Sequence, residues 1–196
     1  MENTLIAYNG IEVYKSDIDL LCDEYIDSLP DPTVISKSAG FMGLLKYVHD
    51  KALKALLPDT LRHDYKLLDA VFEGLYLPLC YKYGKVPTVL QFSVLAGVNS
   101  STLGDIKKGV YRQDGTKVNE LHRRIVQKWY DVSEAALAGK AIEESSIGSM
   151  FALKATFQWR DNTTLTIEQA PQAMHDSAEE IAARHSGATL PERPEL

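Results

Sequence analysis

The fold of this chain is decided by residues 86–109, which read VPTVLQFSVLAGVNSSTLGDIKKG. Thr88 is suited to cap a helix, and Gly97 is suited to a tight turn because glycine tolerates the left-handed conformation. Apolar residues on both sides of that turn have the spacing of two helices with a common inner face: Phe92, Leu95, Ala96, Val98, Leu103 and Ile106. Gly109 is a natural end for the second helix. The pattern predicts a helix-turn-helix over residues 88–109.

The sequence on either side of this motif predicts helices with little β-structure. Asn9-Gly10 lies between two short β-rich runs and predicts a hairpin with a two-residue turn. Helical spacing of apolar residues predicts further helices over residues 16–29, 40–57, 61–83, 118–137 and 145–157. Residues 164–168 alternate as a strand, and a capping box at Ser177 predicts a last short helix. We therefore expect a mainly α fold: a helical domain with a helix-turn-helix, an N-terminal β-hairpin and a short β element near the C-terminus.

Prolines and shifts in composition predict four segments. Residues 1–35 hold the hairpin and an acidic helix, and they end at a linker marked by Pro30 and Pro32. Residues 36–137 form the helical domain with the helix-turn-helix. Residues 138–170 hold a helix and a β element for contacts with other copies or a partner, and residues 171–196 a C-terminal helix and tail. Within the second segment, Pro78 is expected to kink its helix near Gly74.

The basic charge of the chain is concentrated around the helix-turn-helix. The formal net charge is −6, yet residues 81–130 hold nine basic and three acidic residues. A helical hairpin that only packs in a core has no need of nine bases nearby, so this distribution favours contact with double-stranded DNA. The predicted DNA-binding residues lie on the second helix and in the basic stretch after it: Asn99, Ser100, Ser101, Lys107, Lys108, Arg112, Arg123, Arg124 and Lys128.

The outer face of the second helix predicts binding with little sequence preference. Gly104 has no side chain, and Asp105 repels phosphates and most base-edge acceptors. Arg123, Arg124 and Lys128 are placed to reach flanking phosphates, and a solvated helix surface is the open alternative for these three. Salt-sensitive binding with contributions from several copies fits this pattern better than tight contact at a single site.

The other residue types point away from an enzyme. His49-Asp50 and His63-Asp64 are interpreted as dipeptides on helix surfaces, since no further metal ligands follow at a suitable spacing. The chain also lacks the phosphate-binding GxxxxGK[ST] and the nucleophile-bearing GxSxG motifs. We expect no catalytic residue, no cofactor and no metal.

Cysteine usage and hydropathy predict a soluble protein of the cytoplasm. Cys22 and Cys80 are 58 residues apart and belong to no CxxC motif, so they are expected to be reduced, buried thiols. The chain begins without the basic and apolar regions of a signal peptide, and it contains no apolar run of 18 residues. No membrane association is expected.

The first predicted helix offers a different function. Its acidic residues fall on one face: Asp17, Asp19, Asp23, Glu24 and Asp27. Such a face can mimic a phosphate backbone and occupy a basic groove on a host nucleic-acid enzyme, such as a CRISPR nuclease. An acidic surface that only maintains solubility is the simpler alternative. A transcriptional repressor that uses the same helix-turn-helix is a third possibility.

Two stretches carry a family resemblance: residues 71–109, VFEGLYLPLCYKYGKVPTVLQFSVLAGVNSSTLGDIKKG, and residues 126–168, VQKWYDVSEAALAGKAIEESSIGSMFALKATFQWRDNTTLTIE. In the order helix-turn-helix, long helix, GSMFALKATFQWRD segment and β element, residues 68–170 resemble the small terminase subunits and related DNA-packaging proteins of tailed phages and prophages. Residues 1–60 have no counterpart there.

The resemblance implies a non-catalytic DNA-binding protein that assembles as a homo-oligomeric ring in a bacterial host. It implies that Ser100, Ser101, Lys107 and Lys108 contact viral DNA and that the helix containing Trp129 builds the ring. By the same resemblance, residues 171–196 would bind the large ATPase and nuclease subunit of the terminase.

Overall fold

The structure is a computed structural model that describes residues 4–54, 63–110 and 117–159. Within these ranges the protein is mainly helical, as predicted. The chain opens with an antiparallel hairpin of β1 (Thr4–Tyr8) and β2 (Ile11–Tyr14). Asn9 and Gly10 form its turn with φ of 47° and 80°, which confirms the predicted two-residue hairpin.

The helices follow in this order: α1 (Lys15–Asp27), α2 (Ser38–Val48), α3 (Tyr65–Val71), α4 (Leu77–Lys82), α5 (Val89–Ala96), α6 (Ser100–Lys108), α7 (Glu120–Glu143) and α8 (Ile147–Phe157). A 3-10 turn at Pro32–Ser36 precedes α2, and a π turn at His49–Leu53 extends it. Helix α3 begins at Tyr65, whereas the sequence predicted a start at residue 61. The reason is that the Asp64 carboxylate caps the helix by accepting hydrogen bonds from the N–H groups of Lys66 and Leu67. The predicted strand at 164–168, the last helix and Arg112 lie outside the described residues.

Pro78 lies in a helix that continues without a break. A π turn at Phe72–Tyr76 joins α3 to α4, and the Leu77 N–H donates to the carbonyl of Phe72, five residues earlier. This wider turn gives the proline ring room that an α-helical turn would deny it. Gly74 in the same turn has a separate role, since a Cβ there would lie 2.4 Å from the Leu5 carbonyl oxygen of β1. The predicted kink is thus a π turn on which the hairpin packs.

An aromatic cluster forms the centre of the core. Phe72, Phe92 and Trp129 are fully buried, and Trp129 lies 4.8 Å from Phe92 and 5.7 Å from Phe72, measured between ring centroids. Trp129 is therefore a core residue, as its helical face predicts. Ile6 of β1 and Cys22 of α1 are buried in the same core, so the N-terminal hairpin and α1 pack with the helical segment.

Candidate nucleic-acid interface

Helices α5 and α6 form the predicted helix-turn-helix. The Thr88 hydroxyl accepts a hydrogen bond from the Gln91 N–H and caps α5, and the Asn99 side chain accepts one from Ser101 N–H and caps α6. Gly97, at the end of α5, has φ of +66°, and Gly109, at the end of α6, has φ of +82°. The local signals of the sequence are sufficient for this motif, because caps and left-handed glycines act within one helical turn.

A buried histidine supports the turn of this motif. His49 Nδ1 lies 2.9 Å from the Leu95 carbonyl oxygen, which can only accept, so Nδ1 carries the proton. The prediction that His49 lies on a helix surface is wrong, since the side chain is buried. The physical reason is that the Leu95 carbonyl belongs to the last turn of α5, which has no donor within its own helix. His63, in contrast, is exposed.

One stripe of α6 is covered by α7 and α8. The Gly104 Cα lies beside the Tyr130 hydroxyl, which is 3.8 Å from the position that a Cβ would take. The Lys107 ammonium lies 4.2 Å from the Tyr130 ring centroid and 5.3 Å from that of Phe157. Ser100, one turn before Gly104, lines a cavity beside Tyr130. Of the predicted DNA contacts, Ser100 and Lys107 therefore lie on the stripe that faces α7 and α8.

The opposite stripe of α6 is the accessible one. Asn99, Ser101 and Lys108 are exposed, and Asp105 is half-buried between Ser101 and Lys108 on the helix. The Asn99 Oδ1 atom accepts hydrogen bonds from both the N–H and the hydroxyl of Ser101, each at 2.9 Å. These two predicted contacts therefore already use part of their hydrogen-bonding capacity in capping α6.

Lys108, Lys117 and Arg123 lie near the C-terminal end of α6, and Arg124 is the next residue on α7 after Arg123. We call Lys108, Lys117, Arg123 and Arg124 the basic cluster. Lys117 pairs with Val110 in an isolated β-bridge, and the Val118 N–H donates to the Gly109 carbonyl. The Arg123 side chain lies 3.5 Å from the position that a Cβ on Gly109 would take. Glu120 forms exposed ion pairs with Arg123 (3.5 Å) and Arg124 (3.4 Å). The four cations of the cluster outnumber the Glu120 carboxylate, so the cluster keeps a net positive charge. Lys117 was not predicted as a contact, although its place in the basic stretch was a signal.

Lys128 is committed to contacts inside the protein. Its ammonium lies 2.7 Å from both an Asp69 and a Glu73 carboxylate oxygen, and Asp69 also accepts a hydrogen bond from the Trp129 indole at 2.8 Å. Burial disfavours the charged ammonium, but the hydrogen bonds to Asp69 and Glu73 outweigh it and raise the pKa of Lys128. Its predicted reach to DNA phosphate would require breaking these contacts.

Other cations of the basic stretch also have partners in the protein. The Lys82 ammonium is 2.7 Å from Asp19 on α1, and the Lys85 ammonium donates to the Ser36 carbonyl. The formal charge of residues 81–130 therefore overstates the positive charge available on this surface, because ion pairs with other segments neutralise part of it.

The acidic face of α1 is largely exposed. Asp17, Asp23, Glu24 and Asp27 are exposed, whereas Asp19 is partly covered and bonded to Lys15 and Lys82. Those two hydrogen bonds lower the pKa of Asp19. Glu24 in turn accepts a hydrogen bond from Tyr47 and raises the pKa of that phenol. The row of five carboxylates that the sequence predicts is thus interrupted at Asp19.

Comparison of the chain with protein-family models, with curated proteins and with solved structures gave no match. Among the described residues, no group of three or more His, Cys, Asp or Glu side chains is arranged to hold a metal ion. Across the same ranges, no helix has both the length and the apolar character needed to cross a bilayer.

Proposed function

We propose that this protein binds double-stranded DNA through its helix-turn-helix, with α6 in the major groove and the basic cluster on flanking phosphates. One observation carries the proposal: the exposed stripe of α6 ends at Lys108, and the next residues, Gly109 and Val110, contact Arg123 and pair with Lys117 of the basic cluster. A helix flanked by cations at one end is suited to rest in the groove while those cations contact the backbone.

The same surface supports binding with weak sequence preference. The Asn99 Oδ1 atom caps α6 and also accepts from the Ser101 hydroxyl, and the Asp105 carboxylate suits only a cytosine amino group. Few groups then remain to read base edges. Most of the binding free energy would come from phosphate contacts and would fall steeply with salt.

A salt titration tests this proposal directly. Affinity for a fluorescent 30-base-pair duplex is measured by anisotropy from low to moderate salt for the wild type and for Lys108→Ala. Loss of one phosphate contact should reduce the slope of log K against log salt by about 0.9. Lys37→Ala is the matched control, because Lys37 is exposed and lies at the end of α2 remote from the His49 contact with the turn.

The outcomes separate clearly. Binding absent at low salt, or equal effects of Lys108→Ala and Lys37→Ala, would contradict the proposal. Two duplexes of unrelated sequence should bind with affinities within a factor of a few, and a much larger difference would contradict the weak sequence preference.

Exposed apolar side chains support assembly into a homo-oligomer. Ile142 is 77% exposed, Ile147 is 72% and Phe151 is 66%. Helix α8 is apolar on its outer side as well as on the side that packs on α7, which is typical of a helix covered on both sides. Several linked DNA-binding motifs would also compensate for weak contact by each one.

Light scattering tests the assembly, with Phe151→Glu on α8 as the variant and Tyr81→Glu on α4 as the control, because Tyr81 is similarly exposed but lies on another helix. A ring of many copies would favour a packaging role of the small-terminase kind, which otherwise depends on the resemblance of residues 68–170. A dimer would favour a repressor. A monomeric wild type would contradict assembly.

The exposed carboxylates of α1 support a second candidate, the occupation of a basic groove on a host nucleic-acid enzyme. Deleting residues 1–35 is a poor test, because Ile6, Ile18 and Cys22 are buried in the core. Replacing Asp23 and Asp27 by Asn removes charge without removing core. Inhibition of a CRISPR nuclease that survives this double substitution would contradict the mimicry.

A further inference from the structure

A cavity of about 290 Å³ lies between the helix-turn-helix and the helices α7 and α8. The start of α5 contributes Val89 to its wall, and the first residue of α6 contributes Ser100. Tyr130 of α7 and Phe157 of α8 line the other sides, and the cavity is partly open to solvent. Four helices therefore meet around one cavity, and the proposed DNA binding does not account for it.

The walls are apolar except for hydroxyl groups. Val89, Leu137 and Phe157 supply apolar surface, and none of the described residues that line the cavity is charged. The hydroxyl-bearing side chains of Ser100 and Tyr130 are part of this lining. Burial raises the pKa of Tyr130, which is consistent with an apolar surrounding.

We propose that this cavity binds a small uncharged molecule of one or two rings that carries a hydroxyl or carbonyl group. A space of about 150 Å³ in a protein core accommodates benzene, so about twice that volume suits a two-ring compound. A cationic ligand would lose its hydration and lie close to the like charge of Lys107, which is held over two of the lining rings, whereas a hydroxyl or carbonyl can pair with Ser100 or Tyr130.

A ligand in the cavity would strengthen the contact of α6 with α7 and α8. Tyr130 and Phe157 are the rings that hold the Lys107 ammonium, and both also line the cavity. A ligand against these rings therefore touches the same contact that fixes α6 to α7 and α8. Binding itself does not depend on DNA, so the two proposals fail independently.

The test uses the full chain and 2-naphthol, an uncharged two-ring alcohol, with 2-naphthylmethylammonium as its charged counterpart. Calorimetry gives the Kd and thermal unfolding gives the stabilisation. Ala152→Phe fills the cavity, because Ala152 lines it, and Ala155→Phe adds the same ring on the exposed side of α8. At ten times its Kd, 2-naphthol should raise the melting temperature of the wild type and of Ala155→Phe by about 3 to 5 °C.

Ala152→Phe should bind 2-naphthol at least tenfold more weakly than Ala155→Phe, and 2-naphthylmethylammonium should bind the wild type at least tenfold more weakly than 2-naphthol. Equal affinity in either comparison, or no binding of 2-naphthol by the wild type, overturns the proposal. If Ala152→Phe lacks a cooperative unfolding transition, the double variant Ser100→Ala/Tyr130→Phe decides instead. It keeps the cavity and removes both hydroxyls, so unchanged affinity overturns the proposal and a severalfold loss supports it.

Discussion

The Nδ1 atom of His49 lies 2.9 Å from the carbonyl oxygen of Leu95, which joins the end of α2 to the last turn of α5. The same imidazole lies against Gly97, where a Cβ would come within 2.4 Å of the His49 Cε1 atom. A residue nearly fifty positions earlier thus determines how close the turn of the helix-turn-helix can approach α2. Gly97 is required there both for its positive φ and for this contact.

Replacement of Gly97 by Ala should therefore be costly. The left-handed conformation is unfavourable for Ala, and the added methyl meets the imidazole, so we expect the free energy of unfolding to fall by about 2 kcal/mol or more. Urea denaturation measures this. Gly139→Ala is the control, because a Cβ at that position in α7 meets no atom within 4 Å, and it should raise stability by about 0.5 to 1 kcal/mol. Equal effects of the two substitutions would contradict the role of the turn.

Lys107 and Lys108 should differ in spite of being neighbours. The Lys107 ammonium lies over the rings of Tyr130 and Phe157, so Lys107→Met should lower the free energy of unfolding by about 0.5 to 1 kcal/mol. The salt slope of DNA binding should not change. Lys108→Met should reduce that slope and alter stability by less than about 0.5 kcal/mol. A slope reduced equally by both substitutions would show that Lys107 leaves its rings to contact DNA.

Of the two carboxylates that contact Lys128, Asp69 should contribute more to the free energy of unfolding. It accepts hydrogen bonds from the Lys128 ammonium and the Trp129 indole, so Asp69→Asn should cost about 1 to 2 kcal/mol. Glu73 touches only Lys128 among the described residues and is more exposed, so Glu73→Gln should cost less than about 0.5 kcal/mol. Urea unfolding followed by tryptophan fluorescence compares them, and a larger effect of Glu73→Gln would contradict this ranking.

Stability should fall at alkaline pH because of a buried thiol. Burial raises the pKa of Cys80 to about 11 from 9.0. Above pH 9 the unfolded chain loses the Cys80 proton while the folded protein retains it. The contribution of Cys80 to the free energy of unfolding is therefore intact below pH 9 and is lost as pH rises to 11. The loss should be about 2 to 3 kcal/mol. It is measured as the change in unfolding free energy between pH 9 and pH 11.

The control for this titration is Cys80→Ala. The variant should be less stable at pH 7, because it leaves a small cavity, but it should lose less stability between pH 9 and pH 11. Tyr83, whose pKa burial raises to about 12, continues to contribute in both proteins. An identical loss in the variant would assign the alkaline transition to other groups.

The local elements follow from short-range signals in the amino-acid sequence. Asn9-Gly10 fixed the hairpin turn, Thr88 and Asn99 fixed the starts of α5 and α6, and Gly97 and Gly109 fixed their ends. Each of these signals acts within about one turn of its own position, so helical spacing and capping chemistry are enough to recognise the helix-turn-helix.

Which polar side chains are available for binding depends instead on how distant helices pack together. Lys107 and Lys108 are adjacent residues of the same type. Packing of α7 and α8 nevertheless places Lys107 over aromatic rings and leaves Lys108 exposed. Likewise, Lys128 meets Asp69 and Glu73 from segments more than fifty residues away. The partner of a side chain depends on which distant helices pack beside it, and periodicity along one helix carries no information about that choice.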